Sequence, residues 1–243
     1  MNMETLITLG YWVSSLGFLV ASIITMLAVR KFGKSTLGSI FFYLFVGTGI
    51  FFVITIFQKL GADFFKISHE SVDIWWHLMF YLALVFYYYG LKFLVGLGSA
   101  ETDSSQGIKI GKEKTWGIVA LLLLVIIFII PSWAEPIINT YESSPVGQLG
   151  LHHFLAFILS GVVGSYLFNA KKNLGLIGKA IANPMIIAIW ALSIQHLWEL
   201  LTESWKVFEI TGDNIEGVEK IFLIIASVSI AYAAWRLKSF AKV

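Results

Sequence analysis

The chain contains no cysteine, which excludes a disulfide, a thiolate metal site and a cysteine nucleophile. Charge is scarce too. Only 13% of the 243 residues are Asp, Glu, Lys or Arg, about half the share of an ordinary soluble domain. The formal net charge of +2 is too small to attract nucleic acid. No stretch between the apolar runs has room for a soluble domain, and no internal repeat is present. The chain reads as a single domain over 1–243.

What is there is apolar: 58% of residues are hydrophobic, 16% are aromatic, and the mean hydropathy is +0.81. Lipid is the expected solvent. Seven segments reach the ~20 residues that a helix needs to cross a hydrocarbon core. They lie near 5–29, 36–58, 72–95, 115–132, 148–169, 180–204 and 218–238. The expected fold is all-α, a polytopic bundle of seven transmembrane helices in the cell membrane. The opening MNMETL carries an acid and no base, unlike a secretory signal peptide, so the first segment should remain as a span.

The connecting segments alternate in charge. Arg30, Lys31 and Lys34, then Lys109, Lys112 and Lys114, then Lys171, Lys172 and Lys179, then Arg236, Lys238 and Lys242 fall on one side. Most acids fall on the other. The positive-inside rule therefore predicts an outside N-terminus and a cytoplasmic C-terminus.

The third segment, DIWWHLMFYLALVFYYYGLK, carries the clearest functional signal. At ~100° per residue, Asp73, His77, Tyr81, Tyr88 and Lys92 share one narrow sector. Ionisable groups in a membrane helix are costly in lipid, so this stripe should face other helices. His77, the pair His152 and His153, and His196 all fall ~8–10 Å below the outer surface at 1.5 Å per residue. His69 lies in an outer loop and reads as solvated.

Faces can be read as well. His153, Ser160 and Gly164 share a small-residue face by which membrane helices approach closely. His152, turned ~100° away, is expected to contribute less. His196 shares a face with Ser193, Glu199 and Glu203. The converging set is thus His77, His153 and His196 with Asp73 and Glu199, a donor set that suits zinc, copper(II) or non-haem iron. Asp73 could instead orient His77.

If the site is catalytic, Glu199 or Asp73 would accept a proton from a metal-bound water, making the protein a hydrolase or oxidase acting on a small or lipid-like substrate. Two alternatives use the same residues. One is a non-catalytic sensor, transporter or accessory subunit in contact with other membrane subunits. The other is a b-type haem carrier ligated by two histidines.

Trp75, Trp76, Trp133, Trp198 and Trp205 at the outer end, and Trp116 and Trp235 at the inner, read as interfacial aromatic belts. Trp76 and Trp198 also adjoin the histidines. Asn183-Pro184 reads as the start of the sixth helix, and Gly47, Gly49, Gly161 and Gly164 as helix contacts. Ser229, Tyr232 and Arg236 form a polar face at the inner end of the last helix.

Seven helices with an outside N-terminus are similar to retinal proteins and G-protein-coupled receptors. The middle of the last helix, LIIASVSIAYAAW, has no lysine for a Schiff base, and the third ends YYYGLKF without the receptor motif. Hydrolases of the ceramidase and adiponectin-receptor kind are similar in seven helices and a His/Asp zinc site, but their paired histidines on the last helix are missing here. The Asp73 to His77 spacing resembles part of a copper site in membrane monooxygenases, without its second histidine.

Overall fold

A computed structural model describes residues 3–33, 35–65, 67–98, 134–174 and 176–240. Among these every regular element is helical: α1 (Met3–Phe32), α2 (Thr36–Phe65), α3 (His69–Gly98), α4 (134–142), α5 (Pro145–Gln148), α6 (Leu151–Ala170), α7 (Leu176–Glu199) and α8 (Gly212–Phe240). Six of the eight are long and apolar enough to cross a membrane. They correspond to six of the seven expected spans. The expected fourth, 115–132, lies outside the described residues.

The long helices form from continuous apolar runs, which α7 carries through Asn183-Pro184, and several buried hydroxyls find partners within their own turn. Thr25, Thr48, Thr55 and Ser160 each donate to the carbonyl four residues earlier. That removes an unsatisfied polar group from an apolar interior. Small residues then set the spacing. A Cβ on Gly47 would lie 2.8 Å from the Tyr87 ring, and one on Gly164 3.2 Å from the Trp190 indole nitrogen, as a glycine at a helix contact implies.

Packing follows a closed ring: α1 meets α2, α2 meets α3, α3 meets α6, α6 meets α7, α7 meets α8, and α8 returns to α1. The α3–α6 seam is the least extensive. Phe18, Phe51, Phe80 and Tyr87 fill the interior with stacked and edge-on rings. Leu9, Trp12, Leu16, Val20, Ile23 and Leu27 stand exposed along one side of α1. That apolar stripe is what a lipid-facing surface requires.

Two sequence readings change. Pro184 lies inside α7, which begins eight residues earlier at Leu176. With Asn183 it lines a 430 Å³ cavity against Ser229, Tyr232 and Arg236 of α8. Trp75 and Trp76 are buried in the bundle rather than held at an interface, because their helix turns that pair toward its neighbours. Trp205 and Trp235 remain exposed. Trp116 and Trp133 lie outside the described residues.

Candidate metal centre

Three neighbouring helices bring the imidazoles together. On α3 the Nδ1 of His77 is 2.9 Å from the backbone carbonyl of Asp73, one turn earlier. A carbonyl oxygen only accepts, so Nδ1 carries a proton, and in the neutral ring Nε2 keeps its lone pair. That Nε2 is buried without a hydrogen-bond partner, 3.6 Å from Glu199 Oε2.

The same carboxylate oxygen gathers two more rings. His196 approaches it through Nδ1 at 2.6 Å and His153 through Nδ1 at 3.1 Å. The other oxygen, Glu199 Oε1, accepts from the Gln195 side-chain amide at 2.9 Å. His196 Nε2, like His77 Nε2, is buried without a partner. Trp76 and Phe80 close the dry side, with ring centroids 5.2 and 4.4 Å from that of His196. Trp198 instead turns away, stacking on Phe208 and donating to the Ile215 carbonyl.

Local backbone geometry sets the approach of α6 to the end of α7. Gly150, just before α6, has φ of 68°, in the left-handed region that glycine enters without strain. Any Cβ there would also run into Ser204. Ser204 ends a π-helical turn, Leu200–Ser204, that continues α7. The close approach leaves His153 between two carboxylates, its Nδ1 facing Glu199 and its Nε2 3.7 Å from Glu203.

His152 is brought in rather than turned away. Its Nε2 lies 3.3 Å from Asp73 Oδ2, and its ring is 4.8 Å from that of His77 and 4.1 Å from that of His153. The physical reason is that α6 borders two seams at once. His153 faces α7, while the ~100° turn to the preceding residue points His152 at α3. Tyr81 fixes this seam by donating to the His152 carbonyl at 2.6 Å. Burial raises the Tyr141 phenol above its usual range, and its hydroxyl is hydrogen-bonded to His152 Nδ1 at 3.3 Å.

The five expected residues, joined by His152, thus divide into two overlapping groups. His77, His153, His196 and Glu199 form one; Asp73, His77, His152 and His153 form the other. Within each group the donor atoms lie within 4.8 Å of one another. A tetrahedral ion with bonds of ~2.0–2.2 Å would set its donors about 3.4 Å apart, so the widest pairs close and the 2.6 Å pair of His196 and Glu199 opens. The two orphaned ring nitrogens fit such an ion. The His77 ring centroid lies 4.8, 4.6 and 4.9 Å from those of His152, His153 and His196, too close for a porphyrin between it and any of the three.

Comparison with known families, curated proteins and solved structures finds no match. Function therefore has to be read from the site alone.

A cavity of 530 Å³ opens beside the cluster. Asp73, His152, His153, Glu199 and Glu203 form one wall, and Tyr11, Gln58, Glu216, Glu219 and Lys220 face them from α1, α2 and α8. Lys220 is buried, with Nζ 3.9 Å from Glu216, 3.7 Å from Glu219 and 4.2 Å from the Tyr11 ring centroid. Tyr11 donates to Glu216 at 2.9 Å. Sequence reading missed this wall. Its one signal was the clustering of Glu216, Glu219 and Lys220 at helical spacing ahead of a long apolar run.

Proposed function

We propose that this chain is an integral membrane metalloprotein whose ion is held by His77, His153, His196 and Glu199. Its N-terminus lies outside and its C-terminus in the cytoplasm, so that the site sits in the outer leaflet of the cell membrane and the cavity opens outward. The observation that supports the metal most directly is the state of His77. With Nδ1 committed to the Asp73 carbonyl, its only free nitrogen is a buried, unpartnered Nε2 facing a carboxylate and two more imidazoles. A nitrogen so arranged is what a metal-ligating histidine presents.

Zinc, copper or iron suits this donor set by ligand type. A bound ion would supply Lewis acidity and an acidified water, the chemistry of hydrolysis or oxidation. Glu199 is best read as a ligand, since three imidazoles converge on one of its oxygens. Asp73 then remains as a carboxylate on the cavity wall beside the ligands, placed to take a substrate proton. The cavity is large enough for a small molecule or a lipid headgroup.

The test is elemental mass spectrometry on protein purified in detergent without added metal or chelator. Near one equivalent of a transition metal per chain is expected, and its loss from a folded variant with His77, His153 and His196 all changed to Ala. A folded wild-type chain that neither carries nor takes up a transition metal would end this reading.

One observation favours a second reading. Glu199 accepts from both His153 and His196, and carboxylates continue along the cavity through Glu203 to Glu219. Such a polar chain suits a proton-carrying sensor, transporter or accessory subunit of a membrane complex. Metal-free, folded protein that co-purifies with a fixed membrane partner would favour it.

A further inference from the structure

We infer that Asp73 and His152 form an entry station that catches a metal ion from the cavity and passes it to the inner group of His196 and Glu199. This rests on the metal reading above.

The two donor groups share His77 and His153. They differ in exposure. The side chains of His196 and Glu199 are 0% and 7% exposed, whereas those of His152 and Asp73 are 11% and 26% exposed. Asp73 and His152 line the cavity, as His153 and Glu199 also do, whereas His77 and His196 do not. An ion coming from the cavity therefore meets the more exposed Asp73 and His152 before the wholly buried His196.

Both groups cannot have their full donor set at once. His77 has committed Nδ1 to the Asp73 carbonyl, so Nε2 is the one nitrogen it offers to either group. An ion in the outer group and an ion in the inner group would compete for the same lone pair. The arrangement is thus two stations for one ion. Moving between them exchanges Asp73 and His152 for Glu199 and His196 while His77 and His153 stay attached. A stepwise exchange of this kind avoids stripping the ion of all its ligands in a dry site, which is the costly event for a divalent cation in low dielectric. The acidic cavity walls supply the approach, since carboxylates lining a cleft concentrate cations at its mouth.

The experiment is stopped-flow loading of metal-free protein with Co(II) alone, followed by its visible absorption, in wild type and in His152→Asn, Asp73→Asn and His196→Asn variants. Wild type should bind one Co(II) per chain. His152→Asn and Asp73→Asn should reach the same final spectrum and stoichiometry, but roughly tenfold or more slowly, the lower end of what cleft electrostatics contribute to association. His196→Asn should hold Co(II) at the outer station, with an altered spectrum and faster release. Loading of both outer variants at the wild-type rate would overturn the entry station, and so would two equivalents bound at saturation in wild type. In those cases the inner site would stand. Wild type that binds no Co(II) would overturn the metal reading and this inference together.

Discussion

His77 Nδ1 and the backbone carbonyl of Asp73 are joined at 2.9 Å, across a single turn of α3. Because the acceptor is main chain, the bond depends on helix geometry and not on the aspartate side chain. Asp73→Asn should therefore preserve the orientation of His77 and change equilibrium metal affinity by less than about tenfold, whereas His77→Ala should abolish tight binding. Competition against a chromophoric chelator measures both.

Gln195 donates to Oε1 of Glu199 at 2.9 Å, leaving Oε2 for the imidazoles. Replacing it with Leu keeps the bulk and removes the donor. Metal affinity should fall roughly 10–100-fold, the usual cost of losing a group that orients a ligand, with the helical content by circular dichroism unchanged.

Three imidazoles and a carboxylate must all be free of competing protons to hold an ion, so binding releases protons. Affinity should weaken as pH falls through the imidazole range and level off above it. The sign is fixed because acid adds protons to the ligand nitrogens. Chelator competition at pH 5.5 to 8.0 tests this, roughly the range over which an imidazole changes charge. A flat profile would mean that the histidines are not ligands.

Gly150→Ala places a side chain in a left-handed conformation and against Ser204. The backbone term alone costs about 1–3 kcal/mol, and the collision pushes α6 away from the end of α7. A lower melting temperature in detergent and weaker metal binding should appear together, since the same movement separates His153 from Glu199.

Lys220 is buried between Glu216, Glu219 and the face of Tyr11. Lys220→Met would leave Glu219 buried without its cation and should destabilise by about 3–5 kcal/mol. Adding Glu219→Gln removes the stranded charge. The double variant should regain most of the loss, a coupling that thermal melts of the four proteins would measure.

Much of the site was legible because membrane helices have regular pitch and known direction. The common depth of His77, His153 and His196 follows from counting residues, and the inward face of His153 from Ser160 and Gly164 beside it. His152 was misjudged because one helix face was considered at a time, whereas α6 presents adjacent residues to α3 and α7. Glu216, Glu219 and Lys220 were read with the loop charges. The loop ends at Gly212, several residues sooner than hydropathy indicated, because the charged first turns of α8 are helical and paired. Pro184 was read as a helix start from local preference alone; packing carries α7 through it.

The contact between Tyr11 and Glu216 spans 205 positions of the chain, and Gly10 lets α8 pack close, since a Cβ there would lie 2.5 Å from that of Lys220. α1 is synthesised well before α8 and waits for it. Every histidine of the cluster has been translated once α7 is complete, yet one wall of the cavity does not exist until α8 inserts against α1. During synthesis the donors precede the enclosure that screens them, so a nascent chain passes through a stage with the cluster present and its α8 flank open. The order of translation sets when the site becomes secluded.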